Sequence, residues 1–491
     1  MPPALLSGKE ALVQGAVREG ASLFASPSFA AFGADPATVD RARSGGGIAA
    51  EFEDAEEAVA GAYDAAAAGR LTAAAISGRG LAAVEKYFAG AGTASRLLFL
   101  ILEQPGRSAD GLEHASHREL APLRWAGDGK LVLHVPASPS ECHTLARSAA
   151  RRAGRDGLRA TALYVDHVVG HVREPVDVDA PVQDPQETIA DGYRVRDAET
   201  LVVAVGSVGR AALTAVRAAR ERRVRAGLYR PIRLWPAEQG SIANVAVRAR
   251  HVIVPELSER QLWEPVAADF QRHDARSVVP LWPEAGTGRI APDRILAAIE
   301  RGATPADGEM SVPAHRGIAI RLAGEPAHGL LFAGYVLAEA ALVDRRAVAH
   351  VPSLGAATRG PLSGGTIRIA GEPDEDPVVD APDCLVVTSP QAVARFAGGL
   401  AREGRLIAEE SLAELPEDAI ALPLVRTAIE AGGTPMVVDL VAAAVVTEIT
   451  GAVSRRALHE AAERLLPARG RPAGMAALDA GLELGKRLLR A

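Results

Sequence analysis

Cysteine is almost absent from this 491-residue chain, which contains only Cys142 and Cys384. A four-thiolate iron–sulfur cluster and a structural zinc site both need more ligands than these two thiols. A disulfide framework needs more pairs of cysteines. We therefore expect no cluster, no structural zinc and no disulfide framework in the chain alone.

The chain also lacks a concentration of one charge and a long apolar run. Its 54 basic and 61 acidic residues are scattered and give a net charge of −7, which disfavours nucleic acid and membrane surfaces as partners. No run reaches the roughly 18 to 20 apolar residues of a membrane span. The N-terminal sequence lacks the charged region and apolar core of a signal peptide. We expect a cytoplasmic protein.

The length and the 48% hydrophobic content predict about three domains, because one core cannot serve so long a chain. Short apolar runs alternate with segments of helical periodicity, which is typical of α/β folds with mostly parallel sheets. A Pro/Asp-rich segment at 174–198 and a Gly/Pro-rich segment at 301–315 predict domains 1–185, 186–310 and 311–491. The predicted strands are 71–77, 96–102, 130–136, 160–166, 200–207, 251–257, 317–324 and 383–389.

Six segments carry a resemblance to a known family. They are LLSGKEALVQGAVREGASLF (5–24), EDAEEAVAGAYDAAAAGRLTAAAISGRG (53–80), LILEQPGRSADGLEH (100–114), ALYVDHVVGHVREPVDV (162–178), residues 201–236 ending in Arg230, Pro231, Trp235 and Pro236, and residues 329–370. In this order the chain resembles a 2-oxoacid:acceptor oxidoreductase of the ferredoxin type with fused α and γ subunits. The resemblance implies a thiamine-pyrimidine-binding-like domain, a transketolase C-terminal-like domain and a γ-subunit-like domain.

The resemblance implies that a glutamate near residue 55 pairs with the aminopyrimidine N1′ of thiamine diphosphate. A buried carboxylate at N1′ favours the tautomer whose 4′-imino group removes the thiazolium proton. Glu56 is the candidate, while an ungapped match from Ser77 reaches Ala55, and Glu53 is a third possibility. The structural alternative is that these acidic residues only complement the dipole of a helix N-terminus.

A turn after a predicted strand is the second part of the implied cofactor site. Ser77, Gly78 and Gly80 belong to a serine–glycine–x–glycine turn that lies beside thiamine in the family, where backbone N–H groups suit a close cofactor approach. The sequence GSVGRA at 206–211 resembles a truncated dinucleotide fingerprint. It lacks the third glycine and the acidic ribose ligand, so we interpret it as a tight helix start.

The substrate segment departs from the family pattern. Where the family has a threonine that contacts the 2-oxoacid carboxylate, this chain has Ser28 and Phe29, which leaves a hydroxyl from Ser28, a more apolar pocket, or lost catalysis as alternatives. Arg107 and Ser108 are further candidates to bind the carboxylate, since arginine forms charge-assisted hydrogen bonds with it. A solvated surface arginine is the alternative for Arg107.

In the γ-like segment, the family's Gly-Gly-Gln-Gly turn is replaced by residues 325–329. Ser353 and Arg359 are the candidates for the coenzyme A side of the site, because an arginine suits a phosphate; a surface arginine beside a turn is the alternative. His167 and His171 stand four apart on a predicted helix, but the glutamate of the two-histidine zinc motif is missing. We expect no metal site.

Two functions remain open from the sequence. The first is the α–γ subunit of a thiamine-dependent complex that oxidatively decarboxylates a 2-oxoacid to an acyl-CoA. The second is a catalytically degenerate scaffolding subunit of such a complex. The resemblance implies a β subunit that carries the clusters and the Gly-Asp-Gly loop for Mg²⁺ and diphosphate, with ferredoxin or another electron acceptor, and we expect no such loop in this chain.

Overall fold

The structure of the chain is a computed structural model. It describes residues 3–89, 95–107, 113–127, 131–154, 160–182, 189–237, 241–245, 247–258, 261–271, 277–284, 288–302, 317–353, 362–369, 371 and 376–488. The chain packs as two units. Unit 1 contains Met1–His171, Val176–Pro313 and Asp374–Asp376, and unit 2 contains Val172–Pro175, Ala314–Pro373 and Pro377–Ala491. Both predicted domain boundaries, at 185 and 310, lie outside the described residues.

Strands and helices alternate along the whole chain. The elements before residue 177 are β1 Ala4–Ser7, α1 Gly8–Arg18, β2 Ser22–Ser26, α2 Pro36–Arg43, β3 Ala49–Glu51, α3 Ala55–Ala67, β4 Thr72–Ser77, α4 Leu81–Ala89, β5 Leu97–Leu102, β6 Gly106–Arg107, β7 Glu113–His114, α5 Leu120–Gly127, β8 Leu131–His134, α6 Pro139–Arg152, β9 Ala160–Val165, α7 His167–His171 and β10 Arg173–Val176. The next are β11 Ala190–Tyr193, β12 Thr200–Val203, α8 Gly206–Glu221, β13 Ala226–Pro231, β14 Arg233–Trp235, α9 Ser241–Val245, β15 His251–Pro255, α10 Trp263–Gln271, β16 Ser277–Leu281 and α11 Pro292–Gly302. The last are β17 Ile318–Gly324, α12 Leu330–Val343, β18 Val348–Ser353, β19 Ser363–Ile369, β20 Cys384–Val387, α13 Pro390–Phe396, β21 Arg405–Glu409, β22 Ile420–Leu422, α14 Leu424–Gly432, α15 Val438–Thr450, α16 Arg455–Leu465 and α17 Arg471–Leu488. All eight predicted strands are confirmed, as β4, β5, β8, β9, β12, β15, β17 and β20.

The first sheet of unit 1 has the order β14-β8-β9-β5-β4-β2-β3. Its neighbours are parallel except for the antiparallel edge pair β14 and β8. Central strand β5, LLFLIL, is apolar at every position, as a strand covered on both faces requires. Because these strands are parallel, the carboxyl ends of β2, β3, β4, β5 and β9 meet at one edge of the sheet.

The second sheet of unit 1 has the order β11-β13-β12-β15-β16, and only β11 runs antiparallel to its neighbour. Helix α8 follows β12 and begins at Gly206, whose φ of 55° favours glycine. The interpretation of GSVGRA as a tight helix start is therefore confirmed.

Unit 2 is built on a mixed sheet in which β10-β18-β19-β17-β20-β21-β22 are neighbours in that order. Strands β17, β20, β21 and β22 are parallel, and β10, β18, β19 and β17 alternate in direction. Together with unit 1 this confirms an α/β fold with mostly parallel sheets. By length and composition, Pro326–Val343, which includes α12, is apolar enough to cross a membrane. Helix α12 packs on β18, β19 and helices α15 and α16, and this core position accounts for its composition.

Candidate functional site

The carboxyl edge of the first sheet collects the residues predicted around thiamine. Ser28 and Phe29 follow β2, Glu56 follows β3, and the turn Ser77–Gly80 follows β4. In open α/β sheets, ligands bind outside the carboxyl ends of the strands. The fold thus brings together residues that are distant in sequence, at an edge suited to a ligand. We call Ser77–Gly80 the glycine turn.

Glu56 lies in the first turn of α3, where Asp54 caps the helix by accepting a hydrogen bond of 2.6 Å from the Glu56 N–H. Its side chain is 44% exposed and forms an ion pair with Lys86. Ala55, which an ungapped count from Ser77 reaches, lies directly against Gly80. In this conformation Glu56 is not the buried carboxylate that N1′ requires, and its proposed role needs a displacement of Lys86.

Residues of α3 and of the segments after β5 and before α5 pack closely against the glycine turn. A Cβ at Gly78 would lie 2.5 Å from Glu119 Oε1 and 2.8 Å from the Gln104 nitrogen, and a Cβ at Gly80 would collide with Ala55. Arg79 Nε donates a hydrogen bond of 2.6 Å to Gln104 Oε1. Glycine is therefore needed at both positions by space, and the turn ends β4 and precedes α4 as the sequence predicts.

The residues predicted to bind the substrate carboxylate differ in exposure and in their hydrogen-bond partners. The Phe29 N–H donates to Glu51 Oε1 at 2.5 Å, and the half-buried ring packs on the core beside α1. Ser28 Oγ accepts a hydrogen bond of 3.3 Å from the Ala31 N–H. Arg107 is exposed and lies 3.6 Å from Glu113 in an ion pair between β6 and β7. Ser108 lies outside the described residues.

The predicted coenzyme A residues are in unit 2. The backbone of Ser353 ends β18, while its side chain and all of Arg359 lie outside what the structure describes. His167 and His171 occupy α7 with ring centroids 4.4 Å apart, and burial lowers their pKa values to about 3 and about 4. Among the described residues no group of three side chains is placed to hold a metal ion.

The expectation that this chain lacks a Gly-Asp-Gly triplet is wrong. A Gly-Asp-Gly triplet is present at 127–129, although we expected none in this chain. Gly127 ends α5, and Asp128 and Gly129 lie outside the described residues. The triplet precedes β8 in the sequence.

The sequence analysis missed a buried polar cluster behind the glycine turn. Glu103 follows β5, Tyr164 lies in β9, and Glu119 precedes α5; all three are less than a tenth exposed. Tyr164 OH lies 2.7 Å from Glu103 Oε1 and 2.9 Å from Glu119 Oε2. Burial raises the pKa of Glu103 to about 7 and that of Tyr164 well above 10. An acidic residue directly after a buried strand was the available signal.

A second buried contact adjoins this cluster. His117 Nε2 lies 3.4 Å from Asp166 Oδ2, which accepts a hydrogen bond of 2.6 Å from the Ser207 N–H at the start of α8. Burial opposes the charge on His117, yet the hydrogen bond that His117 donates to Asp166 and the charge of Glu103 raise the pKa of His117. Burial likewise opposes the charge on Asp166, but His117 and the Ser207 N–H lower its pKa. The hydrogen bond from the Ser207 N–H to Asp166 thus links the second sheet of unit 1 to the first.

Comparison with known proteins gives matches along most of the chain. The family model "Pyruvate:ferredoxin oxidoreductase core domain II" matches residues 198–295, and "Pyruvate ferredoxin/flavodoxin oxidoreductase" matches residues 319–484. The 2-oxoglutarate synthase subunit KorC of Methanothermobacter thermautotrophicus is 35% identical over 177 residues, which are 34% of this chain and 93% of that protein. Subunit KorA of Methanothermobacter marburgensis is 24% identical over 329 residues, covering 52% of this chain and 86% of that protein.

A solved structure has a similar fold. The 2-oxoglutarate:ferredoxin oxidoreductase from Magnetococcus marinus, with 2-oxoglutarate, coenzyme A and succinyl-CoA bound, superposes with a TM-score of 0.51. Sequence identity is 14%, and the match covers 61% of this chain and 65% of that one. At this identity the likeness concerns the fold alone.

Proposed function

This chain belongs to the 2-oxoacid:ferredoxin oxidoreductases as a fused subunit, and we propose that it is the α–γ subunit of a complex that oxidatively decarboxylates a 2-oxoacid to an acyl-CoA. The observation that carries the proposal is the joining of two kinds of relative in one chain. A KorA protein is matched along 86% of its length, and a KorC protein along 93% of its length. These relatives are enzyme subunits and do not favour a purely scaffolding role.

The glycine turn is the part of the chain that we assign to thiamine diphosphate. Glu119, Gln104 and Ala55 fill the space that a Cβ at Gly78 or Gly80 would need, and we infer that the backbone N–H groups of the turn approach the ligand. When bound, the cofactor supplies the carbanion that attacks the 2-oxo group. Glu56 would have to exchange Lys86 for N1′, and Ser28 and Arg107 are the groups of this chain that we assign to the substrate carboxylate.

The remaining chemistry belongs to partners. With only Cys142 and Cys384, both buried, we assign the iron–sulfur clusters to a β subunit, and with them the loop for Mg²⁺ and diphosphate. We assign the electrons to ferredoxin or a similar carrier, and we assign Ser353 and Arg359 to coenzyme A. We place the complex in the cytoplasm.

Reconstitution tests this proposal. The isolated chain should contain neither thiamine nor iron and should not turn over a 2-oxoacid with coenzyme A and a dye acceptor. Co-purification with a β subunit should give bound thiamine diphosphate and turnover. Turnover by the chain alone would show that the missing parts are not on a partner, and a co-purified complex without thiamine would refute the assignment.

A further inference from the structure

The amino edge of the second sheet of unit 1 brings together three segments that are distant in sequence. Strands β12, β13 and β15 are parallel and begin in register with one another. The Glu199 N–H donates a hydrogen bond of 2.7 Å to the Arg225 carbonyl, and the Arg250 N–H donates one of 2.8 Å to the Glu199 carbonyl. The segments that lead into the three strands therefore lie side by side.

Six exposed arginines lie along this edge, in the segments before the three strands and at the end of α11. They are Arg194, Arg196, Arg223, Arg248, Arg250 and Arg301, and we call them the arginine surface. The segment before β12 is held against α8, because Arg220 donates a hydrogen bond of 3.0 Å to the Arg194 carbonyl. The end of α11 adjoins the start of β15, since a Cβ at Gly302 would lie 3.5 Å from the His251 ring.

The carboxylates at this edge do not neutralise the arginine surface. Three of them already form ion pairs with other arginines, namely Asp197 with Arg220 at 2.7 Å, Glu199 with Arg225 at 3.1 Å and Glu300 with Arg222 at 2.6 Å. Glu221, in the last turn of α8, is a fourth carboxylate. Within the part of the chain that the structure describes, none of the six arginines forms an ion pair. Since arginine stays protonated in proteins, this surface is positive on a chain whose net charge is −7.

Apolar side chains accompany the arginines. Val245 and Val247, in the segment before β15, are 42% and 68% exposed, and Val247 directly precedes Arg248. A phosphate polymer gains nothing from exposed valines, whereas protein interfaces combine an apolar centre with a polar rim. The guanidinium group also matches the geometry of a carboxylate and can bind it with two hydrogen bonds.

We propose that the arginine surface docks the acidic face of a partner protein, with Val245 and Val247 against apolar side chains of that face. The surface lies at the opposite end of β12 from α8, whose Ser207 N–H reaches Asp166. Docking therefore leaves the carboxyl edge accessible. It does not depend on the function that we propose for the cofactor residues.

Two arginines of this surface can be removed without damage to the fold. Arg194 and Arg223 have φ values of 52° and 64°, in the left-handed region that favours glycine. Arg223 follows the C-cap of α8, a position at which glycine is common. The double variant Arg194→Gly, Arg223→Gly should therefore melt at the wild-type temperature or above it. Arg345→Gly is the matched control, because Arg345 is exposed, has a φ of 56° and follows the C-cap of α12 in unit 2.

Binding of a labelled copolymer of glutamate and tyrosine to the full chain measures the docking. In about 10 mM salt, where charges act over about 30 Å, the double variant should bind about tenfold more weakly than the wild type, since one exposed ion pair contributes up to about fivefold. Arg345→Gly should bind as the wild type does. Equal binding by the wild type and the double variant would overturn the proposal.

Competing polymers test the chemistry of the partner. The wild type should bind the glutamate–tyrosine copolymer more tightly than polyglutamate of the same length, and Val247→Ser should remove this difference because the apolar contact is lost. Single-stranded RNA and inorganic polyphosphate offer anionic charge without carboxylates. Tighter binding of either one than of the copolymer would assign the surface to phosphate ligands and overturn the docking of an acidic protein.

Discussion

Asp439 in unit 2 gives the sharpest prediction of stability. It lies in the first turn of α15, is 6% exposed, and accepts a hydrogen bond of 2.8 Å from the Leu440 N–H. The helix dipole favours a negative charge here by at most about 2 kcal/mol. Burial has the larger effect and raises the pKa of Asp439 from 3.8 to about 7, which corresponds to about 4 kcal/mol.

The sign of the pH dependence follows from this rise. The folded chain holds the proton on Asp439 more tightly than the unfolded chain, so stability is full below pH 3.8, is lost as the pH rises to about 7, and is constant above that. Asp439→Asn keeps the acceptor oxygen and cannot ionise. We expect the variant to match the wild type near pH 4 and to exceed it by up to about 4 kcal/mol above pH 7.

Urea unfolding followed at pH 5 and pH 8 measures this difference. Asp418→Asn removes an exposed carboxylate and is the matched control, for which we expect the same small effect at both pH values. If the stability gained by Asp439→Asn were equal at pH 5 and pH 8, Asp439 would not be the buried protonated group that we describe, and the reasoning from burial would be refuted.

Three further predictions concern the first unit. Glu56→Gln should lower turnover of the reconstituted complex by on the order of 10² or more if its carboxylate pairs with N1′, whereas Glu57→Gln should not lower it. Wild-type turnover in both variants would assign the role to Glu53. Phe29→Thr should shift kcat/KM from larger aryl or branched 2-oxoacids toward smaller ones such as pyruvate, and a substrate panel with pyruvate best and no shift would place the carboxylate elsewhere. Arg230→Ala, which removes the buried partner of the half-buried Glu141 at 2.5 Å, should cost about 3 kcal/mol in urea unfolding; a loss below about 1 kcal/mol would show that the pair contributes little.

The sequence was sufficient to predict the strands and the glycine turn. A run such as LLFLIL has no amphipathic alternative, and a strand that ends in Ser-Gly-x-Gly leaves few conformations for the turn. It was not sufficient for the buried cluster of Glu103, Tyr164 and Glu119. Glu103 and Tyr164 are 61 residues apart, and their contact depends on the register of β5 against β9 and on the path of the segment before α5. Neither quantity is encoded in a local pattern.

The same limit applies to Glu56. Periodicity places it in the first turn of α3, which the structure confirms. Whether its side chain points at the turn or at Lys86 depends on where α4 packs, and α4 is a separate element. Sequence spacing alone therefore left Glu56, Ala55 and Glu53 as alternatives.

The pairing of β10 with β18 has a consequence for the association of the N-terminal and C-terminal parts of the chain. Arg173 of β10 is opposite His350 of β18 in this pairing. Strand β10, which precedes the second predicted domain in the sequence, therefore completes the sheet of unit 2. A chain divided between residues 302 and 317 would yield a C-terminal piece with β18 as an open edge, and an N-terminal piece that carries the missing strand. Two such pieces would associate by strand addition. In the fused chain this complementation is intramolecular, so it does not depend on matched expression of two polypeptides.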